Sequence, residues 1–264
     1  MNAVDSANAG PARCFRFQNL ITKRTADFYC RITPAHMYIP GRYCTITAAA
    51  TQMLNKNGDI RMNYIAKQLN HNETLRAKHF LYKVYAGQLG WIPDRQNPSE
   101  WVVKEDSDGT YFEDLFNEKA QWFGVFEKNG FVASGRLLSP VNSKLELELY
   151  TDIPERFLAG NSVRVEMNRI AVDKAHNGTE ALGLLFREMF LYAQRTGIDY
   201  IFTGAPESTM TIIRELNFRT LTQFSYAPDG SDTAYCACLE IKDKATLEKT
   251  LTTLEGKRLT LTFS

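Results

Sequence analysis

The strongest constraint on the fold is an apolar stretch, residues 163–172, that carries two opposite charges in its middle. Its valine and isoleucine content predicts a buried β-strand. Glu166 and Arg169 interrupt it, and buried charges are costly unless they are paired or used in function. On a regular strand, residues three apart point to opposite faces. If Glu166 and Arg169 serve one site, the strand must therefore bulge or splay between them.

The sequence after this stretch predicts a loop over residues 173–178 and a long apolar helix over residues 179–195. A strand, a loop and a helix in this order form a natural site for an anion or a cofactor, because the first amides of a helix lack partners within it. The simpler interpretation of Glu166 and Arg169 is a structural ion pair or a solvent-facing edge. We expect a functional pair, because the motifs described below favour it.

The composition is that of an ordinary globular protein, with 44% hydrophobic and 23% charged residues among 264. The formal net charge of +1 gives no sign of a general nucleic-acid or membrane binder. Neither a secretory signal nor a run long enough to cross a bilayer is visible. The five cysteines form no CxxC pair, which argues against a zinc site or a disulfide framework. We therefore expect a cytoplasmic protein without a metal site.

The pattern along the chain predicts the element order βα, hairpin, β, α, β, α, ββ. The hairpin covers residues 120–126 and 131–138, and Lys-Asn-Gly supplies its turn. This order predicts an α/β (α+β) sandwich, in which a mixed, largely antiparallel sheet is flanked by helices. Residues 1–58 are expected to form an N-terminal elaboration, packed on a domain of residues 59–264.

Four other stretches carry weaker structural signals. Residues 91–108, rich in Pro, Asp and Ser, are predicted to be a loop, and residues 111–117 a short acidic and aromatic turn or helix. Residues 142–159 are predicted to be a loop with a short helix. The tail, residues 245–264, is expected to add a helix and a strand.

Four short motifs, in this order, are similar to motifs of one enzyme family. Residues 82–91 contain Tyr-Lys-Val-Tyr and then Leu-Gly-Trp; residues 114–117 are Asp-Leu-Phe-Asn; residues 134–140 are Ser-Gly-Arg-Leu-Leu-Ser-Pro; residues 166–172 are Glu-Met-Asn-Arg-Ile-Ala-Val. Together, the motifs resemble those of the GNAT-fold N-acyl amino acid synthases and their relatives, the autoinducer (acyl-homoserine lactone) synthases. The resemblance covers roughly residues 60–225 and implies a GNAT-like acyltransferase, whose product serves in signalling such as quorum sensing.

Two positions depart from the family's pattern. The family's arginine in the first helix falls on Leu81, with Lys83 nearby, and the second aspartate of its Asp-x-x-Asp pair is Asn117. In autoinducer synthases, both positions help to shape the pocket for the amine substrate. The departures weaken S-adenosylmethionine as a substrate, and they favour the resemblance to N-acyl amino acid synthases.

The residues also fit acyl transfer from a thioester to an amine on chemical grounds. The ammonium group must lose a proton, which Glu166 can accept directly or through a water. The oxyanion needs hydrogen-bond donors, which a splayed strand supplies from its backbone N–H groups. The carboxylate of an amino-acid substrate needs a cation, and Arg136 or Arg169 can bind it through two hydrogen bonds. We predict Glu166 and Arg169 as catalytic residues and direct attack by the amine, without a cysteine intermediate.

Several side chains besides Arg136 are predicted to bind the substrate. The resemblance places Asp114 and Asn117 in the pocket, and the following aromatic side chains are expected to line it: Trp91, Trp122 and Phe123. Core packing is the alternative for the aromatic residues, and a helix N-cap is the alternative for Asp114. With fewer charges than a pocket for S-adenosylmethionine needs, this pocket favours an apolar or aromatic amino acid as the acceptor.

The loop before the long helix bears on the acyl donor. The resemblance implies that GNAT enzymes using coenzyme A carry Arg/Gln-x-x-Gly-x-Gly/Ala there, so that backbone N–H groups reach the pyrophosphate. Residues 175–180 are Ala-His-Asn-Gly-Thr-Glu, with no basic or amide side chain first and an acidic one last. We predict acyl-phosphopantetheine on an acyl carrier protein as the donor, and no permanently bound cofactor. Lys174, His176 and Arg187 are expected to face the acidic carrier, with solvated surface charges as the alternative.

Three other functions stay open at this point. The chain can be an acyl-homoserine lactone synthase that uses S-adenosylmethionine. It can be a GNAT-fold binding module without turnover, which Leu81 and Asn117 favour and which intact Glu166 and Arg169 oppose. It can be an ordinary coenzyme A acetyltransferase, which the loop at residues 175–180 opposes.

Overall fold

The computed structural model describes residues 63–128, 130–158, 160–227, 230 and 232–261. The expected N-terminal elaboration, residues 1–58, lies outside the described residues, so the domain boundary at residue 59 remains a prediction. Within the described residues, no helix is both long and apolar enough to cross a membrane.

A seven-stranded sheet lies at the centre of the described chain. The strands, in chain order, are β1 (Tyr64–Gln68), β2 (Val102–Asp106), β3 (Gly109–Glu113), β4 (Ala120–Glu127), β5 (Gly130–Leu138), β6 (Arg164–Val172), β7 (Tyr200–Pro206), β8 (Arg219–Phe224) and β9 (Ala234–Glu240). The sheet has the order β1-β4-β5-β6-β7-β9-β8, and β2 pairs with β3 in a separate hairpin. All neighbours in the sheet are antiparallel except β6 and β7. The predicted mixed, largely antiparallel sheet is confirmed.

Four α-helices accompany the strands in the part of the chain that the structure describes. They are α1 (His71–Tyr82), α2 (Ala181–Arg195), α3 (Glu207–Glu215) and α4 (Lys244–Leu254), and α1 continues into a wider π-helical turn, Lys83–Gln88. Asn70 sets the start of α1, because its side chain accepts a hydrogen bond from the Glu73 N–H group while the Glu73 carboxylate accepts one from the Asn70 N–H group. This reciprocal cap satisfies two amides that the helix itself leaves free.

The helices α1 and α2 cover opposite faces of the sheet. Trp122 and Phe123 are consecutive on β4 and therefore point to opposite faces. Trp122 packs in a cluster with Phe80 and Leu81 of α1. Phe123 packs in the larger core with Phe186 of α2. The sheet is thus the middle layer of a three-layer sandwich.

Three predictions of local structure are wrong. Residues 91–108 contain β2, and residues 111–117 contain most of β3. The signal was weak because β2 is largely exposed and three of its five residues are charged. The tail forms α4, but residues 255–261 form no strand. The loop before β6 contains two short 3-10 turns, Glu146–Leu149 and Glu155–Phe157.

Candidate functional site

A bulge in β6 brings Arg169 and Glu166 to one cavity. The register between β5 and β6 shifts by one at Gly135, so that this glycine lies opposite both Arg169 and Ile170. Arg169 has a φ of +53°, in the left-handed region that residues other than glycine rarely adopt. Both charged side chains line the same cavity. The strand therefore bulges between Glu166 and Arg169, as the sequence required for a shared site.

The strands β6 and β7 separate just beyond Glu166. Their parallel pairing covers only Arg164 to Glu166 on β6, whereas β7 continues beside β9 as far as Pro206. On this side, no strand of the described residues pairs with the backbone of β6 beyond Glu166. The gap therefore offers backbone hydrogen-bonding groups next to a buried carboxyl.

A cavity of about 1250 Å³ opens into this gap. Ligand pockets in proteins usually measure about 300–1,000 Å³, so the cavity has room for two substrates. Residues of β6 and β7 form part of its wall, together with these aromatic side chains: Tyr85, Trp91, Trp101, Tyr150, Phe186 and Tyr226.

Glu166 lies at the start of the gap with its side chain buried. The Leu147 N–H group donates to its Oε2 atom at 2.7 Å, and the Asn168 Nδ2 group donates to its Oε1 atom at 2.9 Å. Burial, together with the negative charge of Glu146, raises the pKa of Glu166 to about 7. A carboxyl group with this pKa can take up and release a proton near neutral pH.

Arg136 is enclosed by protein and does not line the cavity. Its side chain is 0% exposed. Its guanidinium nitrogens donate at 2.7–2.9 Å to Asn168 Oδ1, Asn117 Oδ1, Glu146 Oε2 and Asp114 Oδ2. The predicted role of Arg136 in binding the substrate does not fit this geometry, because no part of the group is open to a ligand.

Arg169 is the guanidinium group that lines the cavity. Its central carbon lies 3.5 Å from the centroid of the Trp101 ring, a stacked cation–π contact. Its Nη2 group donates to Asp114 at 3.2 Å and also to Glu146. Its Nε group is buried and has no hydrogen-bond partner among the described residues. Arg169 therefore lines the cavity and carries one buried donor that no described residue satisfies.

Two carboxylates balance the two guanidinium groups. Asp114 and Glu146 each contact both Arg136 and Arg169. Although burial opposes ionisation of Asp114, the two arginines hold its pKa below the usual value. The two arginines and the two carboxylates cancel in charge, and Glu166 is a third carboxyl beside them. Its proton is retained to higher pH because ionisation adds an uncompensated buried charge.

Asp114 and Asn117 both contact Arg136 and do not line the cavity. Asp114 also accepts a hydrogen bond from the Phe116 N–H group at 3.0 Å. Asn117 donates to Glu113 at 2.7 Å while its oxygen accepts from Arg136. Both residues hold Arg136 in place, so their predicted direct contact with the substrate does not fit the structure.

The three aromatic residues predicted for the pocket have different positions. Trp91 lines the cavity and is 43% exposed. Trp122 and Phe123 are 1% and 0% exposed and lie in the core on opposite faces of the sheet. The prediction that they line the pocket does not fit, because their rings are covered by α1 and α2.

The residues predicted to face a carrier protein lie outside the cavity. Lys174 and His176 belong to the 3-10 turn Lys174–His176 that precedes α2, and Arg187 lies on α2. Lys174 and Arg187 are exposed. His176 is half-buried, and its Nδ1 atom is 3.0 Å from the Tyr64 hydroxyl. Their contact with a carrier remains a prediction.

Glu146 and Trp101 belong to the site, although the sequence did not single them out. Glu146 alternates with leucines in residues 145–149, and a glutamate between two buried leucines is the signal that was available. Trp101 comes just before β2. Asn97 holds it through two hydrogen bonds to its backbone, at 2.8 and 2.9 Å.

No protein-family model and no curated protein sequence matches this chain. Among solved structures, FeeM, an N-acyl amino acid synthase from uncultured soil microbes, is 18% identical, with a TM-score of 0.52 over 72% of this chain and 97% of FeeM. MesI, a CoA-dependent acyl-homoserine lactone synthase, is 16% identical, with a TM-score of 0.50 over 72% of this chain and 95% of MesI.

BjaI, another CoA-dependent acyl-homoserine lactone synthase, was solved with SAM and isopentyl-CoA. It is 13% identical, with a TM-score of 0.53 over 73% of this chain and 90% of BjaI. At these identities the likeness concerns the fold. The chain has the GNAT-like fold that its motifs predicted, the fold of N-acyl amino acid synthases and acyl-homoserine lactone synthases.

Proposed function

We propose that this chain is an N-acyltransferase that moves a fatty acyl group from a carrier-protein thioester to the amine of an amino acid. The observation that carries the proposal is Glu166, a buried carboxyl with a pKa of about 7 at the point where β6 and β7 separate. It lines a cavity with room for both substrates. The fold shared with FeeM supports the same conclusion.

In the proposed reaction, the Glu166 carboxylate takes one proton from the acceptor's ammonium group. The free amine attacks the thioester carbon, so that a C–N bond forms and the carbonyl oxygen becomes an oxyanion. Backbone N–H groups of β6 in the gap stabilise that oxyanion. The C–S bond then breaks, and the departing thiolate receives the second amine proton. The products are an amide and the carrier's free thiol.

An apolar or aromatic amino acid is the proposed acceptor. Tyr85, Trp91 and Trp101 provide a wall of aromatic rings in the cavity. Arg169 is the proposed cation for the acceptor's carboxylate, because it lines the cavity whereas Arg136 does not. Leu81, which stands where the family's arginine falls, is 1% exposed in the core and brings no charge to the cavity.

The proposed donor is acyl-phosphopantetheine on an acyl carrier protein in the cytoplasm. MesI and BjaI are described as CoA-dependent, so the fold itself does not decide between the two donors. Support comes from the loop before α2, where Glu180 is the N-cap residue and places an acidic side chain at the position expected to approach a pyrophosphate. A cytoplasmic location agrees with Cys236 and Cys238, which are buried free thiols.

Mass spectrometry of lipid extracts from a host that expresses the chain tests this function. We expect N-acyl amino acids that are absent when Glu166→Gln is expressed at the same level. An acyl-homoserine lactone and consumption of S-adenosylmethionine would instead show the alternative synthase activity. If the host contains the folded protein but its lipid extract contains no acylated amine, a binding module is favoured.

A further inference from the structure

The segment 257–261, which follows α4, pairs with the loop before α2. The Gly178 N–H group donates to the Leu259 carbonyl at 3.0 Å, and the Leu259 N–H group donates to the Thr179 carbonyl at 3.3 Å. The Asn177 side chain forms two hydrogen bonds with the backbone of Leu261, as a neighbouring strand would. Its Nδ2 group donates to the Leu261 carbonyl at 2.8 Å, and its Oδ1 atom accepts from the Leu261 N–H group at 2.9 Å.

Two glycines make room for this segment. Gly178 has a φ of +78°, and a Cβ atom there would lie 3.1 Å from the Thr260 hydroxyl oxygen. A Cβ atom on Gly183, in the first turn of α2, would lie 3.1 Å from the Lys257 carbonyl oxygen. Leu259, buried in the core cluster, anchors the segment. The contact is therefore a packed and hydrogen-bonded part of the fold.

The segment uses one backbone donor that a phosphate would need, the Gly178 N–H group. The start of a helix binds phosphate groups because its first amides point outward without partners. Around the start of α2, most amides already donate to protein acceptors: those of Lys174, Ala175, His176, Gly178, Thr179 and Ala181. The segment itself accepts from Gly178 and lies over this loop. Glu180 adds a negative charge at the same place.

We propose that the segment 257–261 is the donor-selectivity element of this enzyme. By occupying the loop before α2, it denies a nucleotide diphosphate its binding site, while the pantetheine thioester still reaches the cavity. Leu261 belongs to both the segment and the cavity wall. The chain therefore selects acyl thioesters that carry no nucleotide diphosphate. This inference rests on the proposed acyl transfer and specifies its donor.

Calorimetry can measure the affinities of the chain for coenzyme A and for pantetheine without any turnover. The difference between the two affinities is the contribution of the nucleotide diphosphate. The wild-type chain should bind the two compounds with equal affinity. Asn177→Ala removes both side-chain hydrogen bonds to Leu261. Gly183→Ala brings a Cβ atom to 3.1 Å from the Lys257 carbonyl oxygen and so presses on the start of the segment. Each variant loosens the segment on one side of Leu259, whose carbonyl accepts from the Gly178 N–H group. With that donor available to a phosphate, each variant should bind coenzyme A about tenfold more tightly than pantetheine, the effect of one hydrogen bond to a charged group.

Asn217→Gly is the matched control. It removes one hydrogen bond to Thr250 of α4, at 3.0 Å, from a residue whose φ of +60° suits glycine. It leaves the segment 257–261 in place, so its two affinities should stay equal. The ratio of kcat/KM for acyl-coenzyme A over acyl-pantetheine should follow the same order across the variants.

Tighter binding of coenzyme A than of pantetheine by the wild-type chain would overturn the inference and leave acyl transfer standing. An unchanged affinity ratio in both Asn177→Ala and Gly183→Ala would overturn it as well. A wild-type chain that binds neither compound and transfers no acyl group from any donor would refute the proposed function, and the inference with it.

Discussion

At the scale of single residues, Glu146 determines how Glu166 behaves. Glu146 is 3% exposed and forms ion pairs with both Arg136 and Arg169. Burial raises the pKa of Glu166, and the negative charge of Glu146 raises it further. Asn168 connects the two carboxyl groups, because its Nδ2 group donates to both. Glu146 is thus a positioning residue that tunes the proposed base.

Glu146→Gln should move the pH dependence of acyl transfer to lower pH. Removing the neighbouring negative charge lowers the pKa of Glu166, so the active carboxylate persists in more acidic solution. We expect the acidic limb of kcat/KM to shift down by about one pH unit. Glu148→Gln is the control, because Glu148 pairs with Arg164 instead. If the acidic limb of kcat/KM does not move in Glu146→Gln, then Glu146 does not set the pKa of Glu166.

Glu166 should also make stability depend on pH. Its pKa of about 7 in the folded protein lies above its value of 4.5 in a free chain. The folded state therefore keeps the proton longer, and the stability this provides below pH 4.5 is lost as pH rises through 7. Relative to wild type, Glu166→Gln should gain about 3 kcal/mol between these pH values. Urea unfolding of both proteins at several pH values measures this gain in stability. A difference in unfolding free energy that stays constant with pH would contradict the ionisation of a buried Glu166.

The two arginines should respond differently to replacement by lysine. Arg136→Lys should lower stability by about 2 kcal/mol, because a lysine cannot reproduce hydrogen bonds to four surrounding side chains. Arg169→Lys loses the contact with the Trp101 ring and weakens the buried ion pairs to Asp114 and Glu146, so it should lower stability as well. Unlike Arg136→Lys, it should also raise KM for the acceptor about tenfold. An acceptor amide that lacks the carboxylate should show no further loss in Arg169→Lys. If it does, the carboxylate binds elsewhere.

At the scale of elements, the bulge of β6 depends on the glycine opposite it. A Cβ atom on Gly135 would lie 2.5 Å from Ile170 Cδ1, while its other neighbours stay at ordinary contact distances. The Tyr85 hydroxyl donates to the Ile170 carbonyl at 2.8 Å and holds the same bulge from the other side. The site thus depends on a small residue in β5 and a tyrosine after α1.

Gly135→Ala should destabilise the fold by about 1–3 kcal/mol through this overlap. Ile170→Val removes the Cδ1 atom, so the double variant should be more stable than the sum of the single effects by about 1 kcal/mol. Denaturant unfolding of all four chains completes the cycle. Additive effects would mean that the β6 bulge accommodates the extra carbon without Ile170.

The sequence predicted the elements that have strong periodicity and missed those that do not. The β4–β5 hairpin followed from its alternation and its Asn-Gly turn, whereas β2 and β3 are short and rich in charged or polar residues. Spacing alone indicated that Glu166 and Arg169 need a bulge to meet. It could not show which arginine reaches the cavity, because that depends on the four side chains that enclose Arg136, which come from separate parts of the chain: Asp114, Asn117, Glu146 and Asn168.

At the scale of the whole molecule, one charged cluster joins segments that are far apart in the chain. Asp114 follows β3, Arg136 lies on β5, Glu146 lies in the loop before β6, and Arg169 lies in the β6 bulge. Their ion pairs are almost completely buried. Buried pairs of this kind are weak evidence of stability alone. Here they leave Glu166 as the extra carboxyl beside the cavity, which connects the fold to the proposed chemistry.

The most direct test is the pH dependence of acyl transfer by the purified chain. With a fatty acyl carrier protein and an aromatic amino acid, mass spectrometry should detect an N-acyl amino acid. The wild-type kcat/KM should fall as pH drops through about 7, and Glu166→Gln should be about 10²–10⁴-fold slower. Transfer by folded Glu166→Gln at the wild-type rate, at a pH where the amine is mostly protonated, would contradict the role of Glu166.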